Sequence, residues 1–319
     1  MFAGLAVLLT GCSDSISTPG IGSSAQTTDA LALLPGDADM YGMTNLEAAR
    51  ESEALDAALG GTGLGMLDGG GSADFEEFVR LTGFDPSTDL DRIYVAAREG
   101  TPDRAAFVAY GRFDRDRIEA FVADQDDAEL EVTAIDGIPV YLASENAGPR
   151  AGFALANDQM VLAGDEATLT EMISRLGRAS GSPSPAVQAL FDRVAFPDGA
   201  WFVARLDRAE MSIPADAPPE AMAARAADGF VVSMAFQRDG IPVRAFVATK
   251  PEASASDVAD VVRGGIAAAR VGMKDQQAAL DVLDRVEVDT EDGGVRVEGF
   301  MTQEFLKTTR EEARATTDA

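Results

Sequence analysis

The chain has 319 residues, 54 acidic and 26 basic, so its formal net charge is −28; it contains one cysteine and no histidine. Those absences exclude imidazole acid–base catalysis, Ser-His-Asp and Cys-His triads, zinc sites built on His or Cys, and an intrachain disulfide. The charge argues against a nucleic-acid partner, because binding phosphates requires clustered Lys and Arg that release counterions. The cations are 23 Arg and three Lys (Lys250, Lys274, Lys307), set against 33 Asp and 21 Glu. Self-repulsion on that scale is screened by concentrated salt, where the Debye length falls to about 3 Å at 1 M, and this predicts adaptation to a salty habitat. A GC-rich codon bias toward Asp, Ala, Gly and Arg gives a similar composition.

The first element is a short apolar run, Ala3 to Leu9, followed directly by Thr10-Gly11-Cys12. An apolar stretch ending in small residues reads as a secretory signal with its cleavage site. The run Leu9-Thr10-Gly11-Cys12 resembles the lipobox of bacterial lipoproteins. The resemblance implies cleavage between Gly11 and Cys12, a thioether-linked diacylglycerol on Cys12, and often a third acyl chain on the new amine. Residues 1–11 carry no positive charge, where signal peptides normally open with one. Translation is therefore expected to start upstream of Met1, with a basic residue there. Two or more acyl chains hold stably, each buried methylene contributing about 0.8 kcal/mol. Ser13 stands where an aspartate would favour the inner membrane in the enterobacterial members of this class, so the resemblance implies the outer membrane.

The stretch Ser13–Thr28 is rich in Ser, Thr and Gly and lacks periodicity; such composition cannot bury a core and is expected to act as a flexible tether. Beyond it, strand and helix patterns alternate. A strand is expected over Ala38–Met43 and an amphipathic helix over Leu46–Leu59 with Asn45 as its cap. Gly60–Ser72 reads as a loop and Ala73–Leu81 as a helix. Ile93–Arg98 and Ala105–Arg112 form a strand pair, and Asp114 caps a helix over Arg115–Gln125. Hairpins follow at Leu130–Ile135 with Ile138–Ser144 and at Gly152–Ala156 with Met160–Ala163, their Asp136-Gly137 and Asn157-Asp158 turns being residues that tolerate positive φ. Asp165 caps the next helix, with Leu169, Met172, Ile173 and Leu176 on one face. Gly177–Pro185 is the best internal boundary.

The second part reads as a helix over Ala186–Ala195, a strand over Ala200–Leu206 and an Ala/Pro-rich excursion at Ile213–Ala227. A hairpin joins Phe230–Phe236 to Ile241–Thr249. A long helix spans Ala255–Asp284 with a break near Gly272, a last hairpin pairs Val286–Thr290 with Val295–Phe300, and a charged helix covers Gln303–Ala315. Both parts run hairpin, helix, hairpin, helix. The expected organisation is a signal peptide (1–11), a lipidated cysteine with its tether (12–28), and two α+β halves (29–177 and 186–319). The expected fold is an α+β protein, an antiparallel sheet with helices on one face, from a duplicated β-β-α-β-β-α-like unit. The string Asp-Gly-Ile-Pro-Val occurs at 136–140 and 239–243 and reads as a recurring turn whose proline suits an edge strand.

Candidate sites yield to plainer readings. Gly61-Thr62-Gly63-Leu64-Gly65 lacks the spacing of a dinucleotide fingerprint and follows a helix, and no Gly-Lys-Ser/Thr run is present. The acidic groups Asp124-Gln125-Asp126-Asp127, Asp85/Asp89/Asp91 and Glu287 to Glu298 lack the calcium-loop pattern; strand alternation accounts for Glu287, Asp289 and Glu291. Phe153, Phe191, Phe196, Trp201, Phe202, Phe230 and Phe236 could line a lipid cleft or simply fill a core. No enzymatic activity, cofactor or metal is expected. The leading expectation is a lipid-anchored envelope protein with a non-enzymatic binding or structural ectodomain, its partners the membrane through Cys12 and an envelope protein. The alternative is a carrier or chaperone for an apolar ligand such as lipid. The two differ in whether the space between sheet and helices is filled or hollow.

Overall fold

The computed structural model describes residues 25–55, 73–98, 101–124, 130–143, 150–178, 182–206 and 226–317. The lipobox, most of the tether, the Gly60–Ser72 loop and most of the Ala/Pro-rich excursion lie outside them; the last residues expected in the tether, 25–28, instead open the first helix, where Thr27 is buried and hydrogen-bonded to the Tyr94 hydroxyl at 2.9 Å. In chain order the elements are α1 (Ala25–Leu33), β1 (Met40–Asn45), α2 (Leu46–Glu51), α3 (Ala73–Thr82), α4 (Pro86–Asp89), β2 (Leu90–Arg98), β3 (Thr101–Gly111) and α5 (Arg115–Ala123). Then come β4 (Leu130–Ile135), β5 (Ile138–Ala143), β6 (Ala151–Asn157), β7 (Met160–Asp165), α6 (Glu166–Arg175), α7 (Pro185–Phe191) and β8 (Ala200–Arg205). The chain continues through β9 (Ala227–Met234), β10 (Gly240–Thr249), α8 (Ala255–Gly272), α9 (Gln277–Leu283), β11 (Glu287–Glu291), β12 (Gly294–Thr302) and α10 (Gln303–Thr317).

Local chemistry sets many of these boundaries. Asn45, Asp114 and Asp165 cap α2, α5 and α6, their side chains accepting from the amides of Ala48 (3.1 Å), Arg117 (3.1 Å) and Thr168 (2.7 Å), which satisfies donors the first helical turn leaves open. The Asp136-Gly137 turn has both residues at positive φ, 49° and 82°, the geometry that matches the twist of a two-residue hairpin. Asn157-Asp158 turns differently: neither residue has positive φ, and the Asn157 side chain instead accepts from the Gln159 amide at 2.8 Å, an Asx turn. The helix expected over Leu46–Leu59 is interrupted at Ser52: α2 ends at Glu51, residues 53–55 are helical again, and 56–59 lie outside the described residues. Ser52, 2% exposed, leaves the helix to donate its hydroxyl to the Gln237 carbonyl at 3.0 Å and to accept from the Leu55 amide at 3.2 Å. The expected break near Gly272 is where α8 stops, with α9 resuming at Gln277.

The twelve strands among the described residues form one antiparallel sheet in the order β11-β12-β10-β9-β8-β1-β2-β3-β7-β6-β5-β4. Strands from both stretches, 29–177 and 186–319, meet at its centre, where β1 pairs with β8 from Met40–Ala204 to Thr44–Ala200. Moving outward, β2-β3-β7-β6 on one side mirrors β9-β10-β12-β11 on the other. The hairpin β4–β5 extends the first side alone. Pro139 and Pro242 lie on β5 and β10, neither of which is an edge strand. Each stands where pairing on one side has run out: β5 meets β6 only from Val140, and β10 meets β9 only from Val243. A missing amide there removes no ladder bond.

Alternation along the strands separates two apolar faces. On one, Tyr94, Val108, Val140, Leu142, Ala154 and Leu162 pack with Leu33 and Leu34 at the end of α1, Leu169, Met172 and Ile173 of α6, and Val187, Leu190 and Phe191 of α7. On the other, Tyr141, Leu155 and their neighbours meet Leu46 of α2 and Ile118 of α5. Val247, the neighbour of Phe246, joins a third cluster under Val258 and Ala259 of α8. The class and the antiparallel sheet are as expected, with helices on both faces where one was foreseen. The reason is visible in β5, whose successive residues Val140, Tyr141 and Leu142 are all buried, so neither face can be left to water. No helix among the described residues is long and apolar enough to cross a membrane.

Candidate functional site: an apolar cavity under two helices

The first face is filled. Tyr41, Tyr94, Phe191, Leu162, Leu169 and Met172 are completely or almost completely buried there, and the Phe191 ring meets Tyr41 and Trp201 edge-on at 5.5 and 5.4 Å.

The second face is hollow in one place. A cavity of about 400 Å³ lies between α3, α5 and the sheet. Its floor is Leu155 of β6, Val161 of β7 and Ala109 of β3, which are register partners across three strands. Phe153 and Leu90 complete the sheet side, and Phe78, Phe84, Phe113, Ile118, Phe121 and Val122 form the roof and walls. Every lining residue is apolar. The rings hold one another edge-on or tilted, Phe78 against Phe121 at 5.4 Å and Phe84 against Phe113 at 5.0 Å, so the roof is an aromatic frame with preferred ring geometry.

Polar contacts tie this roof to the body. The Arg117 guanidinium on α5 donates to the carbonyls of Arg80 and Leu81 at 3.0 and 3.1 Å, at the C-terminus of α3 where a cation complements the helix dipole. The chain then turns at Gly83, φ +69°, with the Arg117 guanidinium packed against it. Glycine is favoured there by its positive φ. Arg115 donates to the Leu155 carbonyl at 2.5 Å and pairs with Glu119 at 3.3 Å. Tyr141 lies on the same face, stacked on Phe153 at 4.9 Å; burial, then the charge and hydrogen bond of Glu119, push its phenol above the ordinary value. The site therefore has an apolar interior, open on one side, and a rim of already paired charges.

A polar cleft of about 620 Å³ adjoins it, lined by Arg112, Arg115 and Arg117 with Asp89, Asp114, Asp116 and Asp158. Its arginines are committed. Arg112 donates to the Thr88 carbonyl and pairs with Asp89 at 3.1 Å, and Arg115 and Arg117 are bound as described. The other acidic groups read from the sequence are similarly engaged. Asp85 accepts from the Ser87 amide at 2.9 Å, and Asp91 pairs with Arg50 at 3.0 Å. Arg296 reaches Asp289 at 2.7 Å and Glu291 at 3.2 Å. Asp126 and Asp127 lie outside the described residues. Among the described residues no group of three or more Cys, Asp and Glu is placed to hold a metal ion.

Of the aromatic residues singled out in the sequence, only Phe153 lines the cavity. Phe191 and Trp201 belong to the filled face, Phe202 and Phe230 meet at 5.8 Å, Phe196 lies beneath Arg244 at 6.0 Å, and Phe236 is half-buried. Sequence reasoning missed Phe78, Phe84 and Phe113, and read Phe121 only as part of the apolar face of its helix, with Ile118 and Val122. Their density was a usable signal: six of the 16 phenylalanines fall between Phe75 and Phe121. Gly11 and Cys12, the cleavage and lipidation residues, lie outside the described residues.

The fold thus defines an α+β protein built on a single antiparallel sheet. Its likeness is to TP0453. Crystal form IV of that protein superposes with a TM-score of 0.50 at 11% identity, covering 88% of this chain and 95% of the other. Form III gives 0.49 at 11% identity, with 88% and 96% covered; form I gives 0.48 at 10%, with 88% and 95% covered. At that identity the likeness is one of fold. No protein-family model matches the chain, and no curated protein matches it in sequence.

Proposed function

We propose that this chain is a lipid-anchored protein of a bacterial envelope, on the outer membrane, whose folded part holds an apolar ligand without transforming it. The cavity between α3, α5 and the sheet carries the reading. Its volume falls within the range of small-molecule sites, about 300–1,000 Å³, and its all-apolar lining suits hydrocarbon. An occupant would gain about 25 cal/mol for each Å² of apolar surface it removes from water there. The anchor rests on Leu9-Thr10-Gly11-Cys12. It holds the folded part at the membrane while the net charge of −28 keeps that part off an anionic leaflet.

The test is native mass spectrometry with lipid extraction on the protein expressed with its lipobox, beside Cys12→Ser and Ala109→Leu. The parent is expected to carry acyl mass on Cys12, to sediment with membranes and to co-purify reproducibly with an apolar molecule. Cys12→Ser loses the first two; Ala109→Leu loses only the third. A Cys12→Ser protein that still sediments with membranes overturns the anchor, and a parent that is clean after extraction overturns the carrier.

A further inference from the structure

The cavity floor does not end at its walls. The next register row on the same face of the sheet is Phe153, Ala163 and Phe107, on β6, β7 and β3. Phe153 belongs to the cavity wall, and Ala109, two residues along from Phe107 on β3, belongs to its floor. Ala163 therefore lies between two phenylalanine positions about 5 Å away on either side, a small residue flanked by large ones, which makes a trough along β7 continuing from Val161. Phe107 is 39% exposed although β3 is an interior strand with β2 and β7 on its two sides. Among the described residues a large aromatic is thus left open on an interior strand, where an apolar side chain is ordinarily covered.

We infer that the apolar site is longer than the cavity, and that its ligand is a straight hydrocarbon chain running from beneath α3 and α5 over Ala163 to the ring of Phe107. The inference rests on the carrier reading above and names its ligand class. The occupant follows from continuity: the trough opens from an all-apolar cavity and shares a wall with it. The cavity alone, at about 400 Å³, has room for about a dozen methylenes if each takes the space of a water molecule, about 30 Å³. Longer chains need the trough.

The test is a titration of the parent protein with straight-chain alcohols of increasing length, uncharged so that the acidic chain does not repel them. Affinity is expected to tighten about fourfold per added methylene, the factor equivalent to about 0.8 kcal/mol, and to go on tightening past a dozen carbons. Phe107→Ser, at an exposed position that tolerates a polar side chain, should leave the shorter alcohols unaffected and weaken the longest at least tenfold. Ala163→Leu, which fills the trough floor, should do the same. Affinity that levels off near a dozen carbons in the parent overturns the extension while the carrier reading stands. Equal weakening at all lengths by both variants overturns it too, because the residues would then act on the fold. Absence of binding at every length overturns the carrier reading and the extension with it.

Discussion

The two faces of one sheet have been built to different standards. On the face covered by α1, α6 and α7 the side chains interlock to near-zero exposure, with Tyr41, Phe191 and Trp201 in ring contact. On the face under α3 and α5, an equally apolar set of residues surrounds about 400 Å³ of space. Hydrophobicity is therefore not what separates them. Interiors close-pack where side chains can interdigitate; the roof of the second face instead props its phenylalanines against one another and keeps them off the floor. The first face is close-packed, and the second leaves part of its apolar surface around open space.

The sharpest way to break that contrast uses two alanines on β3. Ala106 is fully buried on the filled face and Ala109 lies on the cavity floor. Ala106→Leu should cost about 1–3 kcal/mol by overpacking, whereas Ala109→Leu should be neutral or stabilise by up to about 1 kcal/mol by filling space. Urea unfolding measures both, and equal losses would mean that the second face is as full as the first.

A smaller difference is expected at the helix caps. Asp165, 5% exposed, starts α6 on the filled face, and Asp114, exposed, starts α5 over the cavity. Removing a cap costs about 0.5–2 kcal/mol, so Asp165→Ala should fall near the upper end and Asp114→Ala near the lower in thermal melts. The reverse order would make α5 the better anchored helix.

The smallest effect concerns Asp37, which accepts from Arg98 at 3.0 and 2.7 Å. Chiefly that hydrogen bond, with the Arg98 charge assisting against a small burial penalty, holds its carboxyl below the ordinary value. A depressed folded-state pKa contributes stability above the unfolded pKa, and that contribution is lost as pH falls through the folded value. Asp37→Asn should therefore be less stable than the parent at neutral pH by less than about 1 kcal/mol, since the pair is exposed. The gap should close in acid below the carboxylate range. A gap that persists there would give Asp37 a role other than its ion pair.

Much of the fold was legible because its signals are local. Asn45, Asp114 and Asp165 announce helix starts by residue type, and Asp136-Gly137 announces a hairpin turn; each does in the structure what its chemistry demands. The end of α2 was not legible, because Ser52 leaves the helix to reach Gln237, 185 residues away. The hollow was legible only in part. Strand alternation places Phe153 on a face, yet whether that face meets a packed helix or open space depends on Phe78 and Phe121, which arrive from helices whose approach no short-range pattern encodes. The edge-strand reading of the two prolines failed for a similar reason. What matters to a proline is where each neighbour's pairing stops, a property of the neighbour's length.

The pairing of β1 with β8 joins Gly42 to Phe202, 160 positions apart in the chain. Until β8 has been made, β1 has a single neighbour and an open row of backbone donors and acceptors on its other side, an invitation to wrong partners. Closure over so long an interval is slow. A newly made copy must pass through a half-built stage in which the central strand is unguarded.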